Sequence, residues 1–131
     1  MRLLLDTHIW IWSQIEPERL AARVIRALEA PDAELWVSPI SVWECLLLVE
    51  RGRLTLGIDA HTWIETAWTG AGLREAPLTR AVALRSRDVK LPHQDPADRF
   101  LAATAQVHDL TLVTDDRYLL GAKGFGKLSN R

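Results

Sequence analysis

Short apolar runs that stop at a carboxylate recur along this chain, and longer helix-forming stretches separate them. Leu3-Leu4-Leu5 ends at Asp6-Thr7, and residues 110–114 end at Asp115-Asp116. Strands divided by helices need crossover connections, so they pair mostly in parallel and must be covered on both faces. The expected fold is therefore α/β, with helices on either side of a mostly parallel sheet. Such a sheet takes ligands beyond the carboxyl ends of its strands, where Asp6 and Asp116 fall.

The intervening segments follow the same grammar. Asp6 opens a helical stretch, Pro17 breaks it, and residues 18–28 carry Leu20, Val24, Ile25 and Leu28 on one helical face. Residues 34–37 form a second strand. Ser38-Pro39 then pairs an N-cap residue with a first-position proline ahead of the apolar run 40–49, which Gly52 stops. Helices are expected over 59–68 and 78–88, with Gly70 and Gly72 as punctuation and a short run at 73–76 between them. Residues 100–105 are good helix formers and 110–114 alternate as a buried strand. Residues 121–131, with Gly124 and Gly126, offer no clear final strand.

At 131 residues, with 48% hydrophobic and 25% charged side chains, the chain fits one domain, residues 1–131, with a sizeable core. Asp6 and His8 interrupt the apolar N-terminus before a signal-peptide core or a membrane span develops, so a cytoplasmic protein with no membrane association is expected. The single cysteine, Cys45, lies in an apolar run and reads as a small buried hydrophobe. A net charge of −1 excludes a protein that coats nucleic acid through a broad basic excess. Any such contact must be local, and Arg117, Lys123, Lys127 and Arg131 form one acid-free basic stretch that serves either RNA or solvation.

Four acids carry the chemical argument: Asp6, Glu44, Asp98 and Asp116. Each also has a capping explanation. Asp6 and Asp116 stand where caps stand, Ser41-Val42-Trp43-Glu44 matches a capping box, and Asp95-Pro96-Ala97-Asp98 supplies a cap, a first-position proline and a third-position acid. Ser38-Pro39 is the better helix start, which moves Glu44 into the second turn and removes its capping role. Clustered carboxylates suit Mg²⁺ or Mn²⁺, which take oxygen ligands and leave positions for water and phosphate.

In order and separation, Leu3-Leu4-Leu5-Asp6-Thr7-His8, Ser38-Pro39-Ile40-Ser41-Val42-Trp43-Glu44, His93-Gln94-Asp95-Pro96-Ala97-Asp98-Arg99 and Leu112-Val113-Thr114-Asp115-Asp116-Arg117 resemble the blocks of PIN-domain proteins, most closely VapC-type toxins. The likeness runs over about residues 2–120. It implies a PIN-like three-layer α/β/α sandwich and a Mg²⁺- or Mn²⁺-dependent ribonuclease. It also implies inhibition by a VapB-type antitoxin, and homodimer formation goes with it. By motif, Asp6, Glu44, Asp98 and Asp116 match the acidic quartet, with Asp95 and Asp115 in second rank.

Asp98 is expected to stay ionised through the dipole of the helix it opens. Arg99 and Arg117 are candidate phosphate contacts, with surface solvation as the alternative, while Lys123 and Lys127 are candidate RNA contacts. His8 is expected to pack beside the first strand, and His93 to belong to the loop before Asp95. Of six tryptophans most are expected in the core, some at a dimer contact or an antitoxin groove. Two rivals remain: a Mg²⁺-binding receiver domain, and a PIN-like scaffold that acts through a protein partner without catalysis.

Overall fold

The three leucines of β1 (Arg2–Leu5) are each at most 1% exposed, yet they serve two different cores. In the computed structural model, which describes residues 1–131, Leu3 and Leu5 pack with Ile9, Trp10, Val24, Cys45 and Ile64, whereas Leu4 packs with Val82, Leu101, Ala102 and Leu119. Alternation along a strand sends neighbours to opposite faces, and both faces here are apolar because both are covered.

The first face is covered by α1 (Thr7–Ile15), α2 (Ala22–Glu29), α3 (Pro39–Glu50) and α4 (Ala60–Ala71). The second is covered by α5 (Arg80–Ser86), α6 (Pro96–Val107) and α7 (Arg117–Gly121). Between them β1, β2 (Glu34–Val37), β3 (Arg74–Glu75), β4 (Thr111–Thr114) and β5 (Lys127–Ser129) form one sheet in the order β3-β2-β1-β4-β5, every pair parallel. The expected α/β/α sandwich is what the chain forms.

That strand order decides where a site can sit. The chain steps outward from β1 through β2 to β3, then returns to the other side of β1 for β4 and β5, so the direction of winding reverses between β1 and β4. A crevice opens at such a reversal. A receiver domain has the order 2-1-3-4-5, and the observed order removes that rival.

Local chemistry explains most boundaries. Ser38 accepts a hydrogen bond from the Ile40 N–H at 3.0 Å with Pro39 at the first helical position, and Gly72, at φ +60°, closes α4 in the left-handed conformation. Gly70 lies inside α4 and does not punctuate it.

Two further expectations need correction. Residues 18–28 are not one helix: Pro17–Arg19 form a 3-10 turn and α2 starts only at Ala22. The Ala21 N–H at that start is bound at 2.7 Å by the Asn130 side chain, from the far end of the chain. The tail does form a final strand, β5, with Lys127, Leu128 and Ser129 in register with Leu112, Val113 and Thr114. Its glycines permit this approach. A Cβ on Gly126 would meet the Thr111 hydroxyl at 3.2 Å, and the Gly126 carbonyl accepts the Leu112 N–H.

Candidate active site

The strand order β2-β1-β4 sets three acids side by side at the carboxyl ends of the strands: Glu44 from α3 after β2, Asp6 after β1, Asp116 after β4. Asp98 joins them from the first turn of α6. Their mutual influence is electrostatic as well as spatial, since Asp95, Asp6, Asp116 and Glu44 all disfavour the charge on Asp98.

Two of the carboxylates, Asp6 and Glu44, are held by threonine hydroxyls. Asp6 accepts from the Thr114 hydroxyl at 2.6 Å and from the Thr7 N–H at 2.7 Å. Thr114 in turn accepts the Asp116 N–H at 3.0 Å, so one buried hydroxyl links the ends of β1 and β4. The Thr7 hydroxyl donates to Glu44 and lies 2.8 Å from the Ser41 hydroxyl. With its one proton given to Glu44, it accepts from Ser41. No local signal marks these pairings, because the carboxylate that each hydroxyl holds is distant in sequence: Thr7 holds Glu44 and Thr114 holds Asp6.

Asp116 caps α7 through the Tyr118 and Leu119 N–H groups, and Asp95 caps α6 through the Asp98 N–H at 3.1 Å. Asp95 is exposed, and Asp115 is half-buried. The Asp115 carbonyl accepts from the Arg131 guanidinium at 2.6 Å. The bland capping roles are thus real for both Asp116 and Asp95, and a cap with a free second oxygen can still face a ligand.

Burial raises the affinity of these groups for protons. Desolvation pushes the Asp6 carboxyl up, against the opposing hydrogen bonds from Thr114 and Thr7. Glu44 is raised first by desolvation, then by the charges of Asp6 and Asp95, with its Thr7 bond opposing. Asp98 is pushed up to about 8, by desolvation first and then by the four neighbouring carboxylates. This reverses the expectation that the helix dipole keeps Asp98 ionised. A dipole effect of about 0.3–1 kcal/mol is outweighed by partial burial among like charges.

No group of three or more His, Cys, Asp or Glu side chains is already gathered tightly enough to hold a metal ion. The carboxylates repel one another and turn to nearby hydroxyl and amide donors. The donor set nonetheless suits a hard divalent cation. It is all oxygen, it comes from four separate elements, and its crowded charges are of the kind a cation relieves; Mg²⁺ needs only one or two protein carboxylates beside water and phosphate.

The basic candidates fare unevenly. Arg99 is 5% exposed and its guanidinium donates to the carbonyls of Ser86, His93, Arg87 and Val89, so it braces the loop before α6 and is not a phosphate contact. The Lys127 ammonium is held by the Ala122 carbonyl beside the Phe125 ring, so part of its hydrogen-bonding capacity is spent within the fold. Lys123 lines a cleft with Asp88, Lys90 and Gln106 that contains none of the four acids. Arg117 stays exposed beside Asp116, its guanidinium 4.9 Å from the Tyr118 ring.

His93 accepts the Asp95 N–H through Nδ1 at 3.2 Å and sets Nε2 3.4 Å from the Asp98 carboxylate, a bracing role in the loop where it was expected. His8 does not pack beside β1; it is exposed on α1 against Trp12. Of the tryptophans only Trp10 is fully buried, and Trp43 is 51% exposed.

Comparison with known proteins adds an independent line. The sequence pattern of the PIN domain matches residues 3–123. Ribonuclease VapC22 of Mycobacterium tuberculosis is 38% identical over 120 residues, which span 89% of this chain and 88% of that protein. In fold the chain resembles VapBC2 of Rickettsia felis, solved bound to a DNA fragment from its promoter, with a TM-score of 0.75 at 15% identity over 98% of both chains. It also resembles FitAcB of Neisseria gonorrhoeae, with a TM-score of 0.62 at 26% identity over 98% of this chain and 97% of that one. No helix is long and apolar enough to cross a membrane.

Proposed function

Because the chain belongs to the PIN domain family, we propose that it is a divalent-metal-dependent endoribonuclease, the toxin of a toxin–antitoxin pair. The observation that carries this reading is the meeting of Asp6, Glu44, Asp98 and Asp116 at the reversal point of a parallel sheet. The 38% identity to a ribonuclease over most of the chain supports it from outside the geometry.

In this reading Asp6, Asp98, Asp116 and Glu44 hold Mg²⁺ or Mn²⁺. The chemistry such an ion supplies when bound is acidification of its water toward neutrality and stabilisation of charge on the scissile phosphate. Thr114 and Thr7 fix the orientation of Asp6 and Glu44, and their burial keeps those rotamers from wandering. Asp98 would serve the cation in its ionised form, so a bound ion would favour loss of the proton that its surroundings favour. Asp95 and Asp115 act from second rank, Asp95 by adding negative charge beside Asp98.

A VapB-type antitoxin is the proposed inhibitor, lying over the site through apolar contacts and bringing a cation to the acids. The structural likeness to VapBC2 supports a partner of this kind. A homodimer is proposed as the assembly and the cytoplasm as the location.

The test is incubation of the pure chain with varied RNAs in Mg²⁺, Mn²⁺ or EDTA, with mapping of the cuts. Cleavage with either ion and intact RNA in EDTA is expected. Undiminished cutting in EDTA overturns the reading, and so does a chain that cuts nothing under any condition.

A further inference from the structure

Trp43 is the one tryptophan of the six that the fold leaves mainly in water, and it directly precedes Glu44. An indole half in solvent presents a large, rigid, amphipathic face on which a flat partner can stack. Trp43 and Glu44 line one cleft of about 380 Å³ together with His8, Asp95, Arg51 and Arg53. Neither arginine makes an ion pair, and neither side chain donates a hydrogen bond within the protein. The cleft therefore combines an exposed aromatic face, two uncommitted guanidinium groups and, at one wall, the carboxylates. Of the alternatives, an acidic peptide answers the arginines but leaves the indole face bare, and a purely apolar partner leaves both arginines unanswered.

We propose that this cleft is a nucleotide subsite of the RNA substrate, in which a base next to the cut stacks on Trp43 while Arg51 and Arg53 hold backbone phosphates. The proposal rests on the ribonuclease reading and refines it. Stacking needs an unpaired base, because a duplex hides its π-faces, so the subsite selects single-stranded or looped RNA. Strand order extends the logic, since Trp43 stands at the β2 end of the acid row and the exposed Tyr118 stands at its β4 end, two residues after Asp116.

The test measures binding apart from cutting. A fluorescent single-stranded RNA of about a dozen nucleotides is titrated, by anisotropy, against the chain in an Asp98→Asn background, to which Trp43→Ala, Trp43→Phe, Arg51→Ala/Arg53→Ala or the control Leu84→Ala is added. Base–aromatic stacking is worth about 1–3 kcal/mol, so Trp43→Ala is expected to weaken binding about five-fold or more, and Trp43→Phe to recover most of it. The double arginine variant is expected to lower the salt slope of binding, Leu84→Ala to change neither quantity, and a duplex of the same sequence to bind more weakly. Binding by Trp43→Ala within about twofold of its parent overturns the proposal. So does Trp43→Phe no better than Ala, or a sedimentation coefficient altered by Trp43→Ala, which assigns the indole to a contact between copies. Cleavage by the unmodified chain is read separately: a chain that binds RNA through Trp43 and cuts none of it sinks the nuclease reading, and with it the placing of the base next to a cut, while RNA binding in the cleft stands.

Discussion

Replacing Asp98 by Asn should separate a ligand from a helix cap, because the two roles give opposite signs for stability. An unfolded Asp ionises near 3.9, whereas in the fold this carboxyl is pushed up to about 8. Below about pH 4 both states hold the proton and nothing is lost. Between pH 4 and 8 the unfolded chain gives up the proton and the folded chain keeps it, so metal-free stability falls as pH rises and levels off above 8. At about 1.4 kcal/mol for each tenfold, the full loss is at most about 6 kcal/mol. Asp98 keeps a side chain 20% exposed with His93 3.4 Å away, so screening reduces this to about 1–2 kcal/mol. Asn cannot ionise, and its loss of the helix-dipole contribution is at most about 1 kcal/mol. For a chain of this size 1 kcal/mol is about 3–4 °C in Tm. The assay is a set of melting curves in EDTA from pH 5 to 8.5, repeated in excess Mg²⁺. Wild type is expected to lose several degrees toward pH 8.5 while Asp98→Asn stays flatter and melts as high or higher there. Mg²⁺ should then raise wild type more than the variant, by up to about 2.7 kcal/mol at a hundredfold excess over Kd. A wild type flat in EDTA, or a variant less stable than wild type at pH 8.5 and still active, refutes the reasoning.

Three further outcomes test other parts of the structure. Arg99→Ala should lower stability by about 3–5 kcal/mol in urea melts, since four carbonyls lose a buried cation, whereas Arg117→Ala should stay within about 0.5 kcal/mol. Asn130→Ala should cost about 1–2 kcal/mol by the same measurement, because its amide accepts from Ala21 and donates to the Arg19 carbonyl; a silent variant would detach the tail from the fold. Cys45 is fully buried and burial pushes its thiol up to about 11, so a thiol reagent at pH 8 should label unfolded protein in minutes and leave native protein nearly untouched.

Local chemistry made much of this protein legible in its sequence. Ser38-Pro39 and Asp95-Pro96 announce helix starts through caps and a fixed φ, and Leu3-Leu4-Leu5 announces a strand buried on both faces, because these signals act within a few residues. Three of the four acids were visible for the same reason, Asp6, Asp98 and Asp116 standing at the ends of recognisable elements, while Glu44 was marked only by the motif it completes. What the sequence could not decide involves partners far apart along the chain. β5 forms because Gly126 can approach Thr111, and α2 begins where Asn130 reaches Ala21, 109 residues away. Arg99 was left between phosphate and solvent by the sequence, and the fold gives it neither, wrapping four carbonyls around it. The charge state of Asp98 belongs to the same class. A helix dipole is a local property and favours its carboxylate, but desolvation and the approach of Asp6, Glu44 and Asp116 exist only once β1, β2 and β4 lie side by side, and those longer-range fields prevail.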